Sequence, residues 1–304
     1  MDKSITVLMS TYNGEKYLKE QIDSILAQKD VDLRVLIRDD GSSDGTLRIL
    51  DEYASRDTRV RYYKGKNVGP AKSFLELMYQ ASGTTYYSLC DQDDVWDDDK
   101  LFTAITMIQK LDQAKPALYY SNLRLVDANM NYIRDCFLTS QHQSNKYASL
   151  LENKATGCTC VYNSAAAELF QKAIPDYCSM HDTWVYVVCK IMGQTIYDEI
   201  PHMSYRQHGN NVVGATVKKG FKWYSDRICR FFDRSYQPRY NNAICLENCY
   251  GSIMDNKDLE KLRVITQYKK SIRNRLKFMF DKDFKTSSNS RILRDRLLIL
   301  FGII

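Results

Sequence analysis

Short apolar runs alternate with amphipathic stretches through the first hundred residues, and a polar turn follows each apolar run. Ser4–Met9 is a β-branched, apolar run, and Ser10-Thr11-Tyr12-Asn13-Gly14 follows it. Tyr17, Leu18, Ile22, Ile25 and Leu26 then recur at helical spacing. Leu33–Ile37 predicts a second strand, and Asp39-Asp40-Gly41-Ser42-Ser43-Asp44-Gly45 is the Gly-rich turn after it. The pattern goes on with a helix over Thr46–Tyr53, a strand over Val60–Tyr63, a helix over Ser73–Gln80 and a buried strand over Tyr86–Leu89. Alternating strands and helices predict an α/β fold with a mostly parallel sheet flanked by helices.

Beyond Trp96 the pattern is less regular. It predicts a helix over Leu101–Leu111, a strand over Ala117–Ser121, strands and a polar loop across 122–150, and a strand over Thr156–Tyr162. A helix over Ala165–Ala173 follows, then one over Trp184–Ile191 introduced by His181-Asp182. From about residue 218 the chain reads as helical. Phe221, Tyr224, Ile228, Phe231 and Phe232 mark one apolar face, surrounded by Lys218, Lys219, Lys222, Arg227, Arg230 and Arg234. Ile265, Tyr268, Ile272, Leu276 and Met279 mark a second. The expected organisation is a catalytic body over 1–214 and a basic helical extension over 215–304, either membrane-proximal or a cap packed on the body, without internal repeats.

Charge sharpens that division. The 304 residues carry a net +6, yet 1–214 hold 23 Lys/Arg against 28 Asp/Glu, and 215–304 hold 20 against 9. A basic tail calls for an anionic partner, such as membrane headgroups, a lipid-linked diphosphate or nucleic acid. No nucleic-acid recognition motif accompanies it. The nine cysteines lack zinc-site spacing, since Cys158/Cys160 and Cys245/Cys249 have no matching second pair. An odd count without a secretory leader predicts reduced thiols in the cytoplasm. No stretch approaches the ~20 apolar residues of a membrane span.

In open α/β sheets ligands bind outside the carboxyl ends of the strands. Three polar clusters fall there: Thr11-Tyr12-Asn13, Asp39-Asp40 and Asp91-Gln92-Asp93-Asp94. Three carboxylates within four positions repel one another unless a cation neutralises them, and Mg²⁺ or Mn²⁺ takes carboxylate together with phosphate oxygen. The plainer reading, a solvated helix-capping turn, suits Asp97-Asp98-Asp99 just downstream. Asp39-Asp40 either accepts hydrogen bonds from a base or ribose or only shapes the turn. His181-Asp182 supplies either a base for a hydroxyl or a helix cap. Tyr205-Arg206-Gln207-His208-Gly209-Asn210-Asn211 combines groups suited to a diphosphate or a metal.

As an ordered set these residues resemble the inverting glycosyltransferases of family two, which have the GT-A fold. The matching stretches are Ser10-Thr11-Tyr12-Asn13, Asp39-Asp40-Gly41-Ser42-Ser43-Asp44, Asn67-Val68-Gly69, Asp91-Gln92-Asp93-Asp94 before Val95-Trp96, and the 205–211 loop. Cys90-Asp91-Gln92-Asp93-Asp94-Val95-Trp96, His181-Asp182 and Tyr205-Arg206-Gln207-His208 with Asn211 are also similar to the bacterial rhamnosyltransferases of cell-wall, capsule and O-antigen assembly.

The resemblance implies roles. Tyr12 and Asp39 would hold the nucleotide base, with Thr11, Asp40, Asn67 and Gly69 nearby. Asp91 would contact the ribose and sugar, and Asp93 the metal. Asp182 would be the general base, His208 would contact metal or diphosphate, Arg206 would assist, and Trp184 would line the acceptor side. The family commonly has Glu-Asp where this chain has His181-Asp182, so His181 is expected to share the base's task or orient the acceptor. The family also often has a proline in the first turn, where Tyr12 here follows Thr11. The implied reaction moves a sugar, L-rhamnose from dTDP-rhamnose, to a hydroxyl of a lipid-linked bacterial polysaccharide, with Mg²⁺ or Mn²⁺, at the inner face of the cell membrane. A UDP-hexose transferase is the nearest alternative. A non-catalytic nucleotide-sugar-binding protein would lack the metal carboxylates or the base. A nucleotidyltransferase would carry a basic, Gly-rich loop near its N-terminus.

Overall fold

The computed structural model describes residues 2–136, 145–208 and 237–304, and the chain divides into two units. The first unit is Met1–Thr139, Ala155–Ile174 and Met180–Arg206; the second is Ser140–Lys154, Pro175–Ser179 and Gln207–Ile304.

The first unit opens with β1 (Ser4–Thr11), α1 (Leu18–Leu26), β2 (Asp32–Asp39), α2 (Thr46–Arg56), β3 (Val60–Lys64), α3 (Pro70–Gln80) and β4 (Tyr86–Cys90). β5 (Val95–Trp96), α4 (Lys100–Ile108), β6 (Ala117–Ser121), β7 (Arg124–Val126) and β8 (Tyr132–Asp135) follow. It closes with β9 (Val161–Asn163), α5 (Ser164–Lys172), α6 (His181–Met192), β10 (Gln194–Asp198) and β11 (Met203–Arg206). Among the described residues one sheet has seven strands in the order β10-β6-β9-β4-β1-β2-β3. β1 pairs in parallel with both β2 and β4, β2 with β3, and β6 with β10, while β9 runs antiparallel between β4 and β6. Ile5, Val7, Leu8 and Met9 of β1 are fully buried, as a central strand covered on both faces demands. This is the mostly parallel sheet flanked by helices that the hydrophobic pattern predicts.

Two registers position the chemistry. Thr11 is paired with Asp39, and Met9 with Cys90. The polar loops after β1, β2 and β4 therefore leave the sheet side by side at its carboxyl edge. A second sheet, β5-β11-β7-β8, begins directly after the acidic stretch, with β5 antiparallel to β11.

In the first unit two local expectations differ from the structure, and one strand carries no signal in the sequence. Thr156–Tyr162 is not one strand, because Gly157–Thr159 coils into a 3₁₀ turn. There the Thr159 hydroxyl and the Cys160 amide donate back to the carbonyls of Thr156 and Gly157, at 2.8 and 2.9 Å. Helix α6 begins at His181 with Met180 as N-cap, so Asp182 lies in the first turn and is not the cap. β10, with four half-buried residues of its five, lacks the alternation that would mark a strand.

Among the described residues of the second unit, 3₁₀ turns at Lys146–Leu150, Tyr268–Lys270 and Lys282–Phe284 accompany four helices: α7 (Pro238–Tyr250), α8 (Asn256–Thr266), α9 (Ile272–Phe280) and α10 (Asn289–Phe301). The apolar face expected over Ile265–Met279 is divided among three elements: the end of α8, the 3₁₀ turn Tyr268–Lys270, and α9. Ser271 caps α9 by accepting the Asn274 amide at 3.1 Å and so ends the preceding stretch. Edge-on ring contacts run from Tyr240 to Tyr268, Phe278 and Phe284, with centroids 5.0–5.7 Å apart. The expected face over Phe221–Phe232 and its basic neighbours lie outside the described residues, as do Gly209, Asn210 and Asn211. No helix among the described residues is long and apolar enough to cross a membrane.

Candidate active site

The first wall of the site is the loop after β2. Asp39 is 1% exposed. One of its oxygens accepts the amides of Gly41 and Ser42 at 3.2 and 2.9 Å. The other accepts the hydroxyls of Thr11 and Ser42 at 3.1 and 2.5 Å. Asp40 is equally occupied. It pairs with the Arg38 guanidinium at 2.5 Å and accepts the amides of Val68 and Gly69, both at 2.9 Å. Arg38, 2% exposed, also holds Glu76 at 2.7 Å and the Lys66 carbonyl at 3.1 Å. The Asn67-Val68-Gly69 loop is thus tied from below by a buried ion pair. Gly69 has φ +81° and ψ 163°, a conformation open mainly to glycine, and a Cβ there would meet nothing within 4 Å. Asn67 is exposed beside it.

The loop after β1 is clamped to the acidic loop by Gln92. The Gln92 side chain accepts the Tyr12 amide at 2.9 Å and donates to the Tyr12 carbonyl at 3.1 Å. A side chain on Gly14 would collide with it, since its Cβ would lie 2.3 Å from Gln92 Oε1. The Tyr12 ring itself is 49% exposed. Asn13 accepts the Ser43 amide at 2.9 Å, which joins the first two loops.

The acidic loop is less well satisfied. Asp94 is fully buried; one oxygen accepts the Arg206 amide at 3.1 Å and the other has no hydrogen-bond partner. Burial, then the charges of Asp93 and Asp91, hold its carboxyl well above the usual range, partly offset by the Arg206 amide and the Cys158 thiol. Asp91, half-buried, is pushed up to about 7 by burial first, then by Asp93 and by Asp182. The ligand atoms of Asp91, Asp94 and Cys158 lie within 4.8 Å of one another. The Cys158 thiol is pushed up by burial and by both carboxylates, so it acts as a hydrogen-bond donor. Asp93 is half-buried and falls outside this trio. Beneath the loop lies Lys100, 1% exposed, 3.4 Å from the Trp96 ring centroid and pushed down to about 8 by burial.

Arg206, 2% exposed, is an anchor for the same loop. Its guanidinium donates to the carbonyls of Asp93 and Ala128 at 2.9 and 3.1 Å, binds Glu20, and stands 4.5 Å over the Tyr17 ring. Helix α6 brings in the remaining groups. Asp182 is half-buried, accepts the Thr183 amide at 2.5 Å, and is near enough to Asp91 for its charge to be felt there. His181 is 6% exposed, stacks on Phe74 with centroids 3.9 Å apart, and has neither ring nitrogen hydrogen-bonded. Burial pushes it down to about 3, so the ring is neutral. Trp184 is 2% exposed.

The first unit therefore brings Thr11, Tyr12, Asp39, Asp40, Asp91, Asp93, Arg206 and Asp182 to one edge of its sheet. His208 is half-buried at the start of the last segment of the second unit. Sequence reasoning missed Arg38, Gln92 and Cys158. An arginine inside an apolar strand was a signal for the first. Nothing in the spacing singled out the other two.

A mostly parallel sheet that collects polar loops above three adjacent strands, two of them carrying aspartates, with a small second sheet anchoring the acidic loop, has the layout of a GT-A glycosyltransferase. The chain belongs to glycosyl transferase family 2, whose model matches residues 6–172. It is similar to the dTDP-rhamnosyl transferase RfbG of Shigella flexneri, with 31% identity over 282 residues, 84% of this chain and 94% of that protein. Among solved structures it resembles S. aureus TarS 1-349 in complex with UDP-GlcNAc, with a TM-score of 0.55 at 14% identity, covering 99% of this chain and 91% of that one. The mannosyltransferase PcManGT from Pyrobaculum calidifontis, in complex with GDP-Man and Mn²⁺, gives a TM-score of 0.52 at 14% identity over 98% and 87%. At such identities the two structures speak for the fold alone.

Proposed function

We propose that this glycosyltransferase inverts the anomeric centre of its donor, depends on a divalent cation, and moves L-rhamnose from dTDP-rhamnose to a hydroxyl of a lipid-linked bacterial polysaccharide. The observation that carries the mechanism is that Asp182, in the first turn of α6, borders the Gly157 turn, whose next residue Cys158 lies within 4.8 Å of the Asp91 and Asp94 carboxylates. In this reading Asp182 takes the proton from the acceptor hydroxyl as that oxygen attacks the anomeric carbon in line with the departing diphosphate. A single base without a second, nucleophilic carboxylate fits inversion, and the transition state has oxocarbenium character.

The acidic loop has the donor set for a hard cation. Its carboxylates crowd together: the oxygens of Asp91 and Asp94 lie within 4.8 Å of each other, and Asp93 adds its charge to both. Asp93 is the proposed ligand, because a half-buried carboxylate can share an ion with a diphosphate and a fully buried one cannot. Mg²⁺ or Mn²⁺ bound there would stabilise the charge that develops on the leaving diphosphate. Asp94 and Arg206 set the loop's shape, and Cys158 donates from below. Tyr12, Asn67 and Gly69 offer exposed contacts for the nucleotide. Thr11, Asp39 and Asp40 hold the wall behind them. His181 and Trp184 pack the base's helix, which leaves Asp182 as the proton acceptor.

The rhamnosyl assignment rests on the similarity to a dTDP-rhamnosyl transferase along 84% of the chain. A polyprenyl-diphosphate-linked acceptor at the inner face of the cell membrane completes the proposal. Nucleotide release from dTDP-rhamnose, UDP-galactose, UDP-glucose and UDP-N-acetylglucosamine, with and without Mn²⁺, tests it. Preference for a UDP-hexose would replace the donor assignment, and release that ignores the cation would remove the metal role.

A further inference from the structure

Helices α9 and α10 of the second unit pack against each other, and among the described residues each carries one exposed apolar stripe. On α9, Ile272, Leu276 and Phe280 are 60%, 41% and 63% exposed; on α10, Leu293, Leu297 and Phe301 are 62%, 46% and 63% exposed. Spacing of four residues gathers each trio on one side of its helix. That side is opposite the one that buries Phe278 on α9 and Asp295 and Ile299 on α10. The helices are held side by side. Arg296 stands 5.6 Å from the Phe280 ring, and Arg275 donates to the Leu300 carbonyl at 3.0 Å. Single exposed apolar residues need no explanation, but six large ones on two neighbouring helices mark a docking surface.

Charge identifies the occupant. Residues 268–304 hold ten Lys/Arg against three Asp/Glu. All three acids already have cations: Asp281 and Asp283 share Lys261, and Asp295 has Arg239 and Arg294. Arg273, Lys277, Lys282 and Lys285 are exposed on α9 and in the turn after it. A second copy of the chain would bring the same cations to the same face, and like charges would oppose the contact. An anionic lipid surface takes both the apolar stripes and the cations. We propose that α9 and α10 lay this face into the headgroup region of an anionic phospholipid bilayer. The surface lies wholly within the second unit and does not depend on which donor or acceptor the crevice takes.

The test is flotation of the full chain with vesicles of phosphatidylcholine alone or with about 30 mol% phosphatidylglycerol. The first variant is Leu276→Ser/Phe280→Ser/Leu297→Ser/Phe301→Ser, at exposed positions that the fold does not need; far-UV circular dichroism and a melt check that it folds. The second is Arg273→Glu/Lys277→Glu. The wild type is expected to float with the anionic vesicles and weakly with the neutral ones. Each variant should lower its partitioning about tenfold or more. Absence of flotation with anionic vesicles, or flotation unchanged in both variants, would overturn the proposal. A dimer in sedimentation that the serine variant dissolves, with vesicle binding unaltered, would assign the face to a second copy instead.

Discussion

The loops after β2 and β4 both present aspartates at the same edge of the same sheet, yet they do opposite things. Asp39 and Asp40 are saturated: backbone amides, two hydroxyls and the Arg38 guanidinium occupy their oxygens. Asp91 and Asp94 crowd each other and Asp93, and one Asp94 oxygen has no partner. A carboxylate that is fully hydrogen-bonded builds a wall. One that is crowded and short of donors holds a place for a cation or a proton. Position after a strand does not separate the two uses; the donors that tertiary structure delivers to each carboxylate do.

The difference is open to direct attack. The largest expected effect is on turnover: Asp182→Asn should lower transfer about 10²–10⁴-fold with donor affinity nearly unchanged. Steady-state kinetics alongside donor calorimetry would check it, and near-normal turnover would remove Asp182 as the base. On the saturated side, Asp40→Ala leaves Arg38 with only the exposed Glu76 as its carboxylate partner and strips the Val68 and Gly69 amides of their acceptor, and should destabilise the fold by about 1–3 kcal/mol in urea unfolding. On the crowded side, Asp94→Asn should have the reverse sign without divalent cation at pH 7. Asp94 is held above its usual range in the fold, so its contribution to stability is present at low pH and is lost as pH rises through the folded value. Replacing it should therefore gain on the order of 1 kcal/mol. A loss as large as that of Asp40→Ala would erase the contrast between the loops.

Asp93→Ala should leave the fold intact and abolish the cation-dependent part of donor binding, which calorimetry with and without Mn²⁺ reads. A further effect, on pH dependence, concerns His181. Its folded value of about 3 lies below the ordinary 6.5, so its stabilising contribution is complete above pH 6.5 and is lost as pH falls. Unfolding free energies at pH 7, 6 and 5 should decline by up to about 1.4 kcal/mol per unit below 6.5 from this group. His181→Phe, which keeps a ring to stack on Phe74, should flatten that slope.

Much of the first unit was legible in the sequence, because a central parallel strand covered on both faces must read as a continuous apolar run. β1 and β4 are such strands, and the turns after them were visible as polar breaks. β10 was not legible: a half-buried strand at the sheet's edge needs no periodicity. Nor was the start of α6, where Met180 takes the N-cap through backbone geometry without a capping side chain.

By itself the sequence determined where the strands, their polar ends and the acidic cluster fall, since burial writes itself into hydrophobic periodicity. Only the tertiary structure decided how the aspartates divide their work. Arg38 lies two residues from Asp40 and closes on it across a buried pair, whereas Cys158 comes from a turn 64 residues beyond Asp94 to lie beside it. Whether a carboxylate ends up satisfied or wanting depends on which donors the fold turns toward it, and no spacing along the chain records that.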